Sequence, residues 1–404
     1  MTARTVIVGA SIGGVRTAQA LRAAGYSGAI SLVGDEDAPP YDKPPLSKAL
    51  LAGTVTEDSV GLLTPQAAAE AGIELVLGHA ATGVGDGQVL LDDGTELPYD
   101  DVVIATGARA RPSPWGTPPG VHVVRSLADA RALGTALRTG GPLVVIGAGF
   151  IGAEVAATAL GMGASDVTVV DPVPVPLSRV LSREVAAVFG ELHASRGITT
   201  RFGIGVTGIH PDGDRLAVAL DDGTTLAAAT VVVGIGAVPN DDWLAGSGIA
   251  TDDGVLCDSR CRSIVDPHVW AVGDVARWWH ARYERTVRFE HWTNAVEQAA
   301  CVAHNITHPE SLRTYTPTEY VWSDQYDWKI QLVGRTGGDV HERVDGAGPE
   351  KFAVLYADGD RFAGALTVNW PKALITCRRV LNAAGASFAD VRAQVENARP
   401  VGAR

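Results

Sequence analysis

The chain has 404 residues, enough for about two to three domains with well-buried cores. With 46% apolar and 20% charged residues it has an ordinary globular composition, and no apolar run reaches the length of a bilayer span, so no membrane role is expected. A formal net charge of −13, with lysines and arginines nowhere massed, argues against nucleic acid as a partner.

The four cysteines, Cys257, Cys261, Cys301 and Cys377, form no C-x-x-C and no disulfide framework. Together with the lack of a charged-plus-apolar leader before the first strand, this places the expected protein in the cytoplasm.

The apolar run Arg4-Thr5-Val6-Ile7-Val8 leads into Gly9-Ala10-Ser11-Ile12-Gly13-Gly14, and a helix is expected from Val15 to about Ala24. A buried strand, a turn of small residues and an alanine-rich helix open a βαβ dinucleotide-binding unit. Gly9 permits the tight turn, the small Ser11 lets a pyrophosphate approach the backbone, and Gly14 lets helix pack on strand. The helix N-terminus offers N–H groups and the positive end of its dipole to phosphate. A second strand, Ala29-Ile30-Ser31-Leu32-Val33, ends at Gly34-Asp35-Glu36, which puts Asp35 where an adenosine ribose should lie.

A second fingerprint follows. Leu143-Val144-Val145-Ile146 runs into the unbroken G-x-G-x-x-G of Gly147, Gly149 and Gly152, and Val167-Thr168-Val169-Val170 closes that unit at Asp171. Other landmarks recur in the same order. Leu91-Asp92-Asp93-Gly94-Thr95 and Leu220-Asp221-Asp222-Gly223-Thr224 read as hairpin turns, each followed by a buried strand, at Val102–Ile104 and Val231–Val233. Ala71-Gly72-Ile73 and Arg196-Gly197-Ile198 each end a helix and open a strand. The repeat predicts an α/β protein with two related Rossmann-like dinucleotide-binding domains, the second inserted in the first. Residues 1–112 and 241–316 would form the first, and 113–240 the second. A change of texture after Tyr315-Thr316-Pro317, with Trp322, Trp328 and Trp370 and a last helix from about Pro371, predicts a C-terminal α+β domain over 317–404.

Six motifs carry a wider resemblance: Pro40-Tyr41-Asp42-Lys43-Pro44-Pro45-Leu46-Ser47-Lys48, Ile104-Ala105-Thr106-Gly107, Gly147–Glu154, Ala271-Val272-Gly273-Asp274, Glu290-His291-Trp292-Thr293-Asn294-Ala295 and Trp322-Ser323-Asp324-Gln325. In this order they resemble the FAD-containing, pyridine-nucleotide-dependent ferredoxin reductases of the glutathione-reductase-like superfamily. These are single-chain reductases of the putidaredoxin reductase type, which serve bacterial haem-thiolate monooxygenases and aromatic-ring dioxygenases.

The resemblance implies FAD on Gly9, Ser11, Gly13, Gly14 and Asp35, with Ala81 and Arg125 beside its ADP half, Lys43 before the paired prolines, and Asp274 on the ribityl-phosphate portion. Lys43 stands where the family commonly has arginine, and Ser11 where it has glycine. Trp292 opens a helix whose N-terminus points at the flavin's pyrimidine end, with Asn294 and Glu297 as its caps. NADH would bind on Gly147, Gly149, Ile151, Gly152, Asp171 and Gly236. Asp171 accepts from the ribose and repels a 2′-phosphate, and Arg179 is the nearest basic residue to answer one. Lys48, paired with Glu154, would lie near the reactive flavin edge. Trp322 would either cover the flavin on the acceptor side or anchor packing.

The implied activity is hydride transfer from NADH to FAD and one-electron transfer to an iron–sulfur ferredoxin. Lys43, Lys329, Arg335, Arg378 and Arg379 are candidates for a basic docking patch. No cysteine precedes Cys257, which removes the thiol relays of related disulfide reductases and peroxidases. A reductase for rubredoxin or a quinone, or an NADH-responsive flavoprotein acting as a conformational sensor, remains the alternative. His304 and His308 have helical spacing but no further ligands, so no metal is expected.

Overall fold

The computed structural model describes residues 3–337, 340–383 and 385–399. Their contacts divide the chain into two compact units. Residues through Lys43, Thr56–Arg109 and Ala237–Pro317 form one, and Pro44–Val55, Ala110–Gly236 and Thr318 onward form the other.

The first unit is built on a five-stranded sheet in the order Val269–Ala271, Asp101–Ile104, Arg4–Val8, Ala29–Gly34 and Ile73–Leu77. Every pairing in it is parallel, with Val8 beside both Val33 and Ile104. A parallel sheet is covered on both faces, so its strands are apolar throughout, and Val6, Ile7, Val102, Val103 and Ile104 are all buried. The first strand is central, and the chain leaves it toward one edge before returning on its other side. Its carboxyl end is therefore the point where strand order reverses, the place where open α/β sheets bind ligands. Helices Ile12–Ala23 and Trp292–Thr307 pack against each other. A meander of Ala81–Gly85, Gln88–Leu91 and Glu96–Pro98 and a small sheet of Val255–Cys257, Ala276–His280 and Arg285–Val287 complete the unit.

The second unit repeats the plan. Its parallel sheet runs Thr199–Phe202, Val167–Asp171, Leu143–Ile146, Thr230–Val233 and Val121–His122, with Ile146 beside Val170 and Val233. A meander of Val206–Asp212, Arg215–Leu220 and Thr225–Ala228 stands where the first unit has its own. Both Asp-Gly stretches turn antiparallel strands, and both are followed by the expected buried parallel strand. The same unit carries a five-stranded antiparallel sheet in the order Tyr320–Gln325, Trp328–Gly334, Arg361–Val368, Phe352–Asp358 and Val340–Asp345. That sheet shares a core with helix Arg183–Ser195, where the Phe189 ring meets Trp328 edge-on at 5.9 Å.

Two element boundaries differ from the sequence expectation. The first helix begins at Ile12, inside the glycine turn, because Ser11 is the extended residue before it (φ −103°, ψ −163°). The single last helix is two, Pro371–Ala383 and Phe388–Glu396. Gly385 turns left-handed (φ +90°), and the Ser387 hydroxyl accepts from the Asp390 N–H to start the second helix.

Candidate functional site

Each parallel sheet carries a glycine turn at the carboxyl end of its central strand. In the first unit Gly9 is left-handed (φ +117°), and a Cβ there would lie 2.1 Å from the Ala105 carbonyl oxygen. A Cβ on Gly14 would lie 1.9 Å from the Gly9 oxygen, and one on Gly13 would meet Val272 at 3.2 Å. The second unit matches it. Gly147 (φ +103°) leaves no room for a Cβ, which would come 2.3 Å from the Gly234 oxygen, and a Cβ on Gly152 would lie 2.0 Å from the Gly147 oxygen.

The residues before the two helices, Ser11 and Gly149, are both extended and make no side-chain cap, and neither helix has an acid in its first turn. Both N-termini are left open to an anion, which is the cradle a dinucleotide pyrophosphate requires. Around Gly149 a Cβ would meet nothing within 4 Å, so the backbone there is approachable. Ile151, second in the helix, is exposed.

The acidic residues after the second strand of each sheet are used differently. Asp35 is exposed. Its neighbour Glu36 accepts from the Tyr41 hydroxyl at 2.6 Å and from Lys43 Nζ at 3.2 Å, and that ammonium also lies 4.8 Å from the Tyr41 ring centroid. Asp171 accepts from the Ala148 N–H at 2.7 Å and the Val173 N–H at 2.8 Å, so its carboxylate braces the glycine turn. Each oxygen keeps a further lone pair for a ribose hydroxyl. The guanidinium of Arg179 and that of Arg111 flank Gly236, where a Cβ would meet them at 3.6 and 3.8 Å.

The helix from Trp292 is anchored at its start, where the indole N–H donates to Asp42 at 2.7 Å. Its cap is His291, not Asn294. The chain is extended at His291 (φ −115°, ψ 134°), which leaves Asn294 inside the helix accepting from the Tyr315 hydroxyl at 3.0 Å and donating to Gln298. Gln298 accepts from the Gly273 N–H at 2.8 Å, and Arg288 donates to the Asp274 carbonyl at 3.1 Å, which fixes the Gly273-Asp274 turn. Burial pushes the His291 imidazole down to about 4, so the helix start carries no histidine charge at neutral pH. Ala81 opens its strand half-buried. Arg125 belongs to the second unit, where its backbone N–H donates to Asp129 in the capping box of helix Leu127–Thr139.

Lys48 and Glu154 are brought together within the second unit at 2.6 Å. Glu154, only 2% exposed, also accepts from the Ser47 hydroxyl at 2.6 Å and the Ser323 hydroxyl at 2.7 Å. Lys48 further donates to the Pro44 carbonyl at 3.0 Å. The two serines did not stand out in the sequence, although Ser47 adjoins Lys48 and Ser323 adjoins Trp322. Trp322 sits half-buried on the edge strand beside the Tyr320 ring, with centroids 6.0 Å apart. Of the basic candidates, Arg378 lies over the Tyr320 ring at 4.6 Å, Arg379 donates to Gln394, and Lys329 and Arg335 are exposed. The His304 and His308 rings stack on each other, and His304 faces the Ser311 carbonyl.

All four cysteines are buried thiols. Burial raises each of them, Cys301 to about 11 and Cys377 to about 12, which silences thiolate chemistry at neutral pH.

Residues 3–299 match the family described as pyridine nucleotide-disulphide oxidoreductase, and residues 320–397 match the one described as reductase C-terminal. Putidaredoxin reductase of Pseudomonas putida is 39% identical over 91% of this chain and 88% of its own. The ferredoxin–NAD(+) reductase component of an anthranilate 1,2-dioxygenase system from Burkholderia cepacia is 36% identical over 94% of each chain. Among solved structures, the covalent putidaredoxin reductase–putidaredoxin complex superposes with a TM-score of 0.89, at 35% identity over 98% of this chain and 99% of that one. The repeated glycine cradle and the antiparallel sheet that follows it thus have their counterpart in known sequences, and the chain belongs to the pyridine nucleotide-disulphide oxidoreductase family, with a reductase C-terminal region.

Proposed function

We propose that the protein is an FAD-containing, NADH-dependent ferredoxin reductase that passes single electrons to a [2Fe–2S]-type or similar ferredoxin serving a haem-thiolate monooxygenase or a ring-hydroxylating dioxygenase. The observation that carries this reading is the doubled cradle, in which Gly9 and Gly14 in one unit and Gly147 and Gly152 in the other allow the tight turn and close helix-on-strand packing that bring an uncapped helix N-terminus to the end of each central strand. The residues fit the cofactor. Gly9, Ser11, Gly13, Gly14 and Asp35, with Ala81, Arg125 and Lys43, hold FAD, and Asp274 and Trp292 hold its flavin half. Gly147, Gly149, Ile151, Gly152, Asp171 and Gly236 hold NADH. The corresponding domains are 1–112 with 241–316, then 113–240, with 317–404 facing the partner.

Bound FAD supplies the conversion of a two-electron donor into one-electron steps. The chain's part is to orient and to exclude water. Lys48, held by Glu154, presents its ammonium beside the reacting rings, and Trp322 covers the acceptor side. The open N-terminus of helix Trp292–Thr307, uncharged at His291, favours negative charge at the flavin's pyrimidine end. Asp171 favours NADH over NADPH, because its carboxylate accepts from a ribose hydroxyl and repels a 2′-phosphate. An acidic ferredoxin docks on Lys329, Arg335, Arg378 and Arg379, with Lys43. The buried thiols suit the cytoplasm.

Anaerobic titration with NADH and with NADPH, following the visible flavin band, tests the proposal. Fast bleaching by NADH and slow bleaching by NADPH are expected, followed by reduction of an iron–sulfur acceptor. A bound flavin that neither nucleotide bleaches would overturn it and favour a sensor.

A further inference from the structure

A buried carboxyl needs every donor it can find, and Glu154 takes them from two distant stretches of chain. One oxygen, Oε2, accepts from Ser47 and Lys48, both at 2.6 Å. The other, Oε1, accepts from Ser323 at 2.7 Å, 169 residues away in sequence and wholly buried on the edge strand of the C-terminal sheet. The Ser323 oxygen in turn accepts from Gln325 Nε2 at 3.2 Å. That incoming bond occupies one lone pair of the hydroxyl, whose proton is given to Glu154.

The geometry follows from this chain of bonds. With Oε1 pinned by Ser323, the carboxyl plane of Glu154 cannot turn, and Oε2 is held where Lys48 meets it. Lys48 has a flexible four-carbon stem, so its head group is only as well placed as the groups that hold it. Thr158 adds a brace from the same helix as Glu154, its hydroxyl donating to the Ser47 carbonyl at 2.8 Å.

We propose that Ser323 is a positioning residue for hydride transfer, acting through Glu154 on Lys48, with Gln325 orienting its hydroxyl. The C-terminal region thereby serves the NADH half-reaction as well as the partner. This rests on the reading that Lys48 lies beside the reacting rings. A serine that merely satisfies a buried carboxyl lowers stability when removed and leaves the chemistry alone, so the two roles separate in kinetics.

The test uses the flavin-loaded Ser323→Ala protein in anaerobic stopped-flow with NADH. The limiting rate of flavin bleaching falls about tenfold while the NADH Kd stays within about twofold. Ser323→Ala added to Glu154→Gln costs nothing more than Glu154→Gln alone, because one path carries both effects. Without NADH, the acetylation rate of Lys48 by acetic anhydride, read by peptide mass spectrometry, shifts by about threefold or more in Ser323→Ala. A variant that bleaches at the wild-type rate, a loss that adds to that of Glu154→Gln, or unchanged labelling of Lys48 overturns the inference. Should Ser323→Ala fail to hold flavin, Ser323→Cys, close in volume and a weak donor, is read against the same outcomes. Wild-type flavin that NADH does not bleach overturns the proposed function and this inference together, whereas wild-type bleaching beside an unaffected variant overturns the inference alone.

Discussion

A methyl group at Gly152 would sit 2.0 Å from the Gly147 carbonyl oxygen, so Gly152→Ala has to push helix Phe150–Gly161 off its strand. The expected result is a rise of about tenfold or more in the Kd for NADH with flavin retained, and a stability loss of about 1–3 kcal/mol, read by nucleotide titration and thermal melting. Gly14→Ala makes the same contact with Gly9 at 1.9 Å and is expected to lose flavin instead, which the ratio of visible to protein absorbance reports. Asp171→Ala removes both the brace on the Ala148 and Val173 N–H groups and the charge proposed to face the ribose. NADH binding should weaken by about tenfold, and the ratio of NADPH to NADH affinities should move toward one, because the repulsion of a 2′-phosphate is gone.

Among the elements, the helix from Trp292 is tied at its first residue by a long-range bond, 2.7 Å from its indole to Asp42. Trp292→Phe removes that donor and is expected to lower stability by about 1 kcal/mol and to speed flavin loss on dilution, measured by melting and by fluorescence of released flavin. The sequence shows this helix and both glycine turns for a simple reason. Strand, turn and helix are contiguous, and the turn must be glycine where Cβ and carbonyl would collide. Boundaries were less legible. A helix that starts within the glycines looks like a loop in sequence, since glycine is a poor helix former. Asn294 has the residue type of a cap and lies in the wrong register by three positions, a matter decided by the extended backbone at His291. Ser47 and Ser323 lie within two of the quoted motifs, yet nothing local marks either hydroxyl as a partner of Glu154. Their chemistry exists only after a helix and an edge strand, 169 residues apart at Glu154 and Ser323, come together.

For the molecule as a whole, His193 and His291 weaken the fold in acid. Burial pushes His193 and His291 down to about 4, one in each unit. Folded, each stays neutral until the pH nears 4; unfolded, each takes a proton below about 6.5. The unfolded state therefore binds more protons across that window, and stability falls as pH drops from 6.5 toward 4. For His193, buried against the Tyr326 hydroxyl at 2.7 Å, the loss approaches about 3 kcal/mol. Melting temperature measured from pH 7 to 4.5 should fall steadily, and His193→Gln should flatten that slope.

The four buried cysteines have a practical consequence. With every thiol buried, the native surface is blank to maleimide chemistry, so one cysteine introduced beside Arg378 or Lys329 becomes a unique handle. The enzyme can then be fixed to a gold electrode or to a chosen carrier in a single orientation, and the current it passes tests whether electrons leave through that face.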